Sequence, residues 1–427
     1  MGRIRNPADI HYLALEGGGG KGVTYLGAVR ALERLNVLPI NIDQRGSNQI
    51  RGISGASAGA ITAMFLAMGY NAAELQAVLS NAATFTGFFD GPSIGVWKSV
   101  DRQNRPDLHT GAPPGTMPLT YVRQQRRSIS GLAQLASAVG FLARSGMLGP
   151  TTDPIISRLI AYPEHYLYNL LFDRGMFPGV TARNFLQAAI YGRLWQRLIK
   201  QRVRPGSPIP IYGINGSEMN FSTFYDLTGV DLVITGSNLS KHRPAVFSRR
   251  HTPLFPVAEA VGISMNLPLL FKPVEVDANV PVGAYNQRSD DYHGRWMDGG
   301  VLNNFPLHAF DYLSPAPSPA HPDLRPLNPN VLGLRLTDGY PPGSSRPSTA
   351  PTPSTFELLL QHLGDVMNTV LYPSEEGQIR SQSEREQSID LYTYDLSTTD
   401  FAPPASASGT PIREAERSVD AYFGSTP

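Results

Sequence analysis

Ser57 stands in the run Gly52-Ile53-Ser54-Gly55-Ala56-Ser57-Ala58-Gly59-Ala60-Ile61, with glycine two residues before it and two after. A serine hydroxyl is a weak nucleophile until a neighbouring base takes its proton. Acyl transfer also needs donors for the oxyanion of the tetrahedral intermediate. Two other stretches hold residues of those types. From Gly17 to Gly22, five of six residues are glycine, with Lys21 the exception, and a row of backbone N–H groups is left to face an anion. Asp298-Gly299-Gly300 sets a carboxylate on a tight turn, although Asp-Gly alone is an ordinary turn dipeptide. Together the three stretches supply nucleophile, base and donors.

The flanking residues predict how each is held. Ile50 and Ile53 read as the end of a buried strand, and Ala58 to Met68 as a helix that starts at once after Ser57. A strand that reverses so sharply strains its turn residue, and Gly55 and Gly59 remove the side chains that would collide there. The serine is then pushed out at a strand tip, above a helix N-terminus that favours negative charge. Tyr12 to Leu15 predict a strand before the glycine loop, and Val23, Leu26, Ala31, Leu32 and Leu35 an amphipathic helix after it. Arg295 to Met297 read as a short strand leading into Asp298. Elsewhere, helices are expected at Ala72 to Ala83, Pro256 to Met265, Phe356 to Leu371 and Arg413 to Tyr422. Ile209 to Ile214, Ser222 to Asp226 and Asp231 to Thr235 read as core segments, and Val331 to Leu336 and Ile389 to Tyr394 as strands.

Composition narrows the function classes. The chain has 427 residues, 41% hydrophobic and 17% charged, which suits one large α/β domain with insertions or two ordinary ones. A net charge of +1 predicts no general attraction to nucleic acid. The absence of cysteine excludes a thiol nucleophile, disulfides and cysteine-ligated metal. No run of about eighteen apolar residues predicts a membrane span, and the short polar start at Met1 to Ile10 predicts no signal peptide. Asn6 stands where a myristoylation motif wants Ser or Thr. Gly22 stands where a P-loop needs Ser or Thr for magnesium. Gly17, Gly19 and Gly22 also fit Gly-x-Gly-x-x-Gly, with Asp43 near the place of a ribose-binding acid. However, Asp43 follows a Pro39-interrupted segment that makes a poor central strand.

The ordered motifs Gly17 to Gly22, Gly55 to Gly59 and Asp298 to Gly300 resemble the patatin-like phospholipase family. Asn303-Asn304-Phe305-Pro306, Thr235 to Leu239, Arg243 to Phe247 and Val257 to Pro268 add to the resemblance, which spans about residues 10 to 312. It implies an α/β/α sandwich around a mostly parallel sheet and a Ser57–Asp298 dyad without histidine. It implies an oxyanion hole drawn from Gly17, Gly18, Gly19, Gly20, Lys21 and Gly22, with Lys21 balancing the loop's charge or lying solvated. Gly55 and Gly59 would frame the elbow, and Gly299 and Gly300 the acid turn. The implied substrate is a phospholipid or lysophospholipid, met in transient contact with a membrane surface, without metal or cofactor. The expected site of action is cytoplasmic or membrane-peripheral, with export as an effector left open.

The catalytic domain is expected at residues 10–312, with a helical insertion or lid at about 90–175 and an extension at 313–427 packed on it. Within the insertion, the basic residues Arg123, Arg126 and Arg127 precede an apolar helical stretch at Leu132 to Leu148. An α/β-hydrolase triad of Ser57, Asp298 and His362 is the rival within hydrolases. His293 and His308 flank the acid turn. The triad's fold places several strands before its elbow, whereas only one βα unit precedes Ser57 here. A lipid- or partner-binding module is the non-enzymatic alternative, and it predicts a damaged catalytic set.

Overall fold

Two short strands lie side by side at the centre: β1, Tyr12–Leu15, and β2, Gly52–Gly55. They run parallel, with Tyr12 opposite Gly52 and Leu15 opposite Gly55. Strands covered on both faces carry apolar or small residues at successive positions, not alternating ones, and every residue of β2 is buried. A computed structural model describes residues 2–79, 81–91, 97–99, 159, 162–202, 219–276, 289–314, 326–344, 381–398 and 405–424.

The other strands among these residues are β3 (Trp97–Ser99), β4 (Gly175–Phe177), β5 (Asp231–Asn238), β6 (Arg243–Ser248), β7 (Leu269–Phe271), β8 (Val274–Val276), β9 (Gly294–Asp298), β10 (Val331–Thr337) and β11 (Ser388–Tyr392). The main sheet runs β11-β10-β1-β2-β5-β9-β8-β3, with β6 also on β5, and β4 pairs β7 separately. From β11 to β5 every pairing is parallel. One junction decides the site. β6 occupies one edge of β5 from Val233 to Asn238. The other edge is shared by β2, with Gly55 opposite Ile234, and by antiparallel β9, with Asp298 opposite Gly236. β2 and β9 therefore meet end to end, carboxyl terminus to carboxyl terminus.

The α-helices among the described residues are α1 (Tyr25–Arg34), α2 (Ser57–Ala67), α3 (Ala72–Leu79), α4 (Ala82–Gly87), α5 (Pro163–Tyr168), α6 (Val180–Arg202), α7 (Phe221–Thr228), α8 (Val257–Ser264), α9 (Gly300–Asn303), α10 (Gln382–Glu386) and α11 (Ala405–Phe423). Successive strand residues point to opposite faces, and β1 divides its side chains between two cores. Leu13 and Leu15 join the larger one, with α1, α2 and α8, whereas Ala14 joins a smaller one under Phe305, Leu307 and Phe310. α2 is buried at every residue, which suits its unbroken Ala58-to-Met68 run; each fully buried large apolar side chain is worth roughly 1.5–3 kcal/mol.

The sheet takes two strands from beyond residue 312, β10 and β11, and α11 packs along α1, where Arg34 pairs with Glu416 and Asp420. Ser222 to Asp226, read as a core segment, lies inside α7. Asn220 caps that helix by accepting from the Thr223 amide, and Gly229 ends it in the left-handed region. The last helix begins at Ala405, earlier than expected, and includes Pro411. Ile209 to Ile214, Arg123, Arg126, Arg127, Leu132 to Leu148 and Phe356 to Leu371 lie outside the described residues, as does most of the 90–175 insertion. Among the described residues no helix is long and apolar enough to cross a membrane.

A Cβ on Gly27 would lie 1.8 Å from the Ile412 carbonyl oxygen, so α1 and α11 approach backbone to backbone there. Gly27→Ala is expected to destabilise the fold by about 1–3 kcal/mol, read as a lowered midpoint in denaturant; an unchanged midpoint would mean that α11 does not hold this place in solution.

Candidate active site

The chain leaves β2 through Ala56, in an extended conformation, and turns into α2 at Ser57 with φ of 48°. A non-glycine residue in the left-handed region is strained and is kept only where its surroundings insist on it. A Cβ on Gly55 would lie 2.4 Å from the Gly59 carbonyl oxygen, and one on Gly59 would lie 2.5 Å from those of Leu15 and Glu16. A side chain at either glycine would therefore collide with backbone. The Ser57 amide donates to Ser264 Oγ of α8 at 2.9 Å.

β9 delivers Asp298 to the same point from the opposite direction. Ser57 Oγ donates to Asp298 Oδ2 at 2.7 Å, and the Gly300 amide donates to Oδ1 at 2.7 Å. The backbone of the turn is held too, with the Asp298 amide on Asn266 O at 3.0 Å and the Gly299 amide on Ser264 O at 3.4 Å. Asp298 is fully buried, and burial pushes its carboxyl up to about 7 despite the two donors, which pull it down. Serine and acid touch directly, and among the described residues no histidine bonds to either. His308 is engaged by Asp311 and Glu384, and His293 Nε2 is buried without a hydrogen bond. His362 lies outside the described residues.

The six residues read as one donor loop divide by task. The Gly17 amide donates to Asn304 O at 3.0 Å, that of Gly20 to Thr398 O at 2.9 Å and that of Lys21 to Gly18 O at 3.1 Å. Gly18 and Gly19 keep amides that donate to no acceptor among the described residues. Gly19 has φ of 53°, and a Cβ there would meet Thr398 O at 2.1 Å. Gly22 lets the loop lie on α2, since its Cβ would come within 2.8 Å of that of Ala58. Lys21 is not a solvated loop residue: it is buried, and Nζ bonds Asp338 Oδ1 at 2.6 Å.

Sequence reasoning missed Glu16 as a member of the site. It is buried, and burial pushes its carboxyl up to about 8, while Leu336 N donates to Oε2 at 2.8 Å and Asn304 Nδ2 to Oε1 at 3.3 Å. The available signal was an acid placed between a buried strand and a glycine loop. Phe85 and Phe88 line a pocket with Gly19, Ser57, Ile61, Leu79 and Met265. The pocket is open to solvent on one side and mostly apolar in its lining, as sites for apolar ligands are. Among the described residues no group of three or more His, Asp or Glu is placed to hold a metal. The dinucleotide reading is corrected. Asp43 precedes β2 in a surface segment and pairs with Arg197 of α6, so no ribose-binding acid stands at the end of the second strand.

Comparison with known proteins bears on this arrangement. The patatin-like phospholipase family matches residues 13–311. A probable lipid hydrolase, 463L of Invertebrate iridescent virus 6, is 25% identical over 89 residues, which is 21% of this chain and 26% of the viral protein. VipD from Legionella pneumophila has a TM-score of 0.42 at 16% identity, over 98% of this chain and 67% of VipD. The heterodimeric ExoU–SpcU complex from the type III secretion system of Pseudomonas aeruginosa gives a TM-score of 0.36 at 18% identity, over 98% of this chain and 52% of the matched one. The chain thus spans about a quarter of the viral relative and about half of the Pseudomonas chain.

Burial of Asp298 has a consequence for stability. An ordinary aspartate ionises near 3.8, whereas this one does so at about 7. Between those values the unfolded chain has released the proton that the folded chain still holds, so this group's contribution to stability falls as pH rises from about 4 to about 7. Asp298→Asn removes that loss. Its melting temperature is expected to gain on wild type between about pH 4.5 and about pH 8. A constant difference across that range would mean that Asp298 ionises normally; Glu16 is present in both proteins and cancels.

Proposed function

The chain belongs to the patatin-like phospholipase family, and from that membership we propose that it hydrolyses fatty-acyl esters of membrane phospholipids or lysophospholipids, with Ser57 as nucleophile and Asp298 as its base. The observation that carries this reading is the 2.7 Å contact of Ser57 Oγ with Asp298 Oδ2 on the wall of an apolar pocket. The catalytic unit is read as residues 10–312, with the segments past 312 completing its sheet, acting peripherally at a membrane surface.

The acyl chain lies along Val23, Ile61, Leu79, Phe85, Phe88 and Met265, where each buried methylene contributes about 0.8 kcal/mol. Ser57 Oγ attacks the ester carbonyl carbon while its proton passes to Asp298. The carbonyl oxygen becomes an oxyanion, which the free amides of Gly18 and Gly19 receive, with the positive end of α2 adding its field. Collapse of the intermediate breaks the ester C–O bond, and the leaving alkoxide takes the proton from Asp298. Water then attacks the acyl-serine carbonyl, giving its proton to Asp298, and the fatty acid leaves as that proton returns to Ser57. A base ionising at about 7 suits both directions of transfer near neutral pH.

Free fatty acid release from mixed phospholipid vesicles tests the reading. Ser57→Ala and Asp298→Asn are each expected to lower release by about 10³-fold or more, while His362→Gln leaves it nearly intact. Equal release by wild type and Ser57→Ala would overturn the assignment, and a loss in His362→Gln matching that in Asp298→Asn would favour the triad. Because Asp298 must be ionised to accept a proton, kcat/KM is expected to rise with pH and level off above about 7. A profile flat down to about pH 5 would remove a buried carboxylate from the role of base.

A further inference from the structure

Asn304 sits in the Asn303-Asn304-Phe305-Pro306 run just past the acid turn, and neither nucleophile nor base uses it. It is buried, and its carboxamide fills the gap between two glycines of different motifs. A Cβ on Gly17 would lie 2.2 Å from Asn304 Oδ1, and one on Gly300 would lie 2.5 Å from it. Neither glycine has a positive φ. Their missing side chains therefore make room for this carboxamide and serve no special backbone conformation.

Asn304 also grips the first peptides of the glycine loop. Its carbonyl accepts from the Gly17 amide at 3.0 Å, and its Nδ2 donates to Gly17 O at 3.2 Å and to Glu16 Oε1 at 3.3 Å. On the far side of the gap, the Gly300 amide holds Asp298 Oδ1, and the Asn303 amide donates to Gly299 O at 2.9 Å. Glu16 carries the linkage to β10 through Leu336 N. One side chain thus bonds the start of the donor loop and, through Glu16, the sheet, while its Oδ1 lies beside the acid turn.

Resting on the Ser57–Asp298 reading above, we propose that Asn304 is a positioning residue that locks the glycine loop to the acid turn, keeping the Gly18 and Gly19 amides in register with Ser57. It makes no hydrogen bond to Ser57 Oγ or to the Asp298 carboxylate. Its chemistry is specific to the amide. A carboxylate at 304 would have no hydrogen to offer the Gly17 carbonyl, and an alanine would remove the donor that Gly17 O and Glu16 Oε1 now share.

Asn304→Ala is expected to lower kcat for fatty acid release roughly 10- to 100-fold, with KM within about twofold, since misplacement of the donors by about 1 Å suffices. Hydrogen exchange should accelerate in the peptide that covers Gly17 to Gly22 and stay unchanged in α1; a purely structural role would speed both. Asn304→Asp should lose activity at least as far, because its side chain has no hydrogen for the Gly17 carbonyl. A wild-type kcat in Asn304→Ala, or exchange that rises alike along the chain, would overturn the proposal. Should wild type release no fatty acid at all, the reading of the site falls, and the exchange measurement still decides the clamp.

Discussion

The site depends on β2 and β9 ending against each other on one edge of β5. The parallel strand brings Ser57 to that point and the antiparallel strand brings Asp298. Because β6 occupies the opposite edge of β5, neither strand can move across, and a one-residue slip of β9 would turn Asp298 to the other face of the sheet. The 2.7 Å contact between serine and acid is thus a product of strand register. The side chains inherit their placement from backbone hydrogen bonds that no substitution at the site itself removes.

The glycines illustrate how several requirements share one residue type. Gly55 and Gly59 admit the elbow, Gly22 lets the loop rest on α2, and Gly19 turns under the Thr398 carbonyl. Gly17 and Gly300 admit a carboxamide from elsewhere. A run of glycine in a sequence announces a backbone that must be approached closely, but it does not say by what. In this loop the approaching groups come from Ala58, Asn304 and Thr398, widely separated in sequence.

That distance explains which parts were legible. The strand, loop and helix of the first unit, the elbow and the acid turn all have local signals, in apolar periodicity broken by glycine, and their elements lie within a few residues of where the spacing put them. Pairing of Ser57 with Asp298 came from the motif resemblance, because the two residues are 241 apart in sequence. Lys21 was unreadable for the same reason: its partner Asp338 is 317 residues away, and a lysine beside glycines gives no hint of burial. Glu16 and Asn304 were passed over because their contacts are with each other and with backbone groups. Ser222 to Asp226 was legible as core but not by type, and the Asn220 cap and Gly229 stop, both visible in the sequence, mark it as helix.

Burial links the chemistry to the stability of the fold. A carboxylate with ordinary solvation ionises near 3.8 and takes up a serine proton poorly; enclosure raises this one to about 7. The apolar residues that would hold an acyl chain also exclude water from that wall of the site, so a single set of side chains, among them Ile61, Phe88 and Met265, serves both purposes. The cost is an acid whose ionisation opposes folding above its ordinary range. Direct bonds from Ser57 and Gly300 lower that cost but cannot remove it. The sheet has to carry the remainder, and it does so with strands from both ends of the chain, β1 and β2 near the start and β10 and β11 near the close. A shorter sheet would expose the loop that Thr398 and Asp338 now hold. On the proposed reading the segments past residue 312 support the site, because they complete the sheet and hold the glycine loop beside a buried acid.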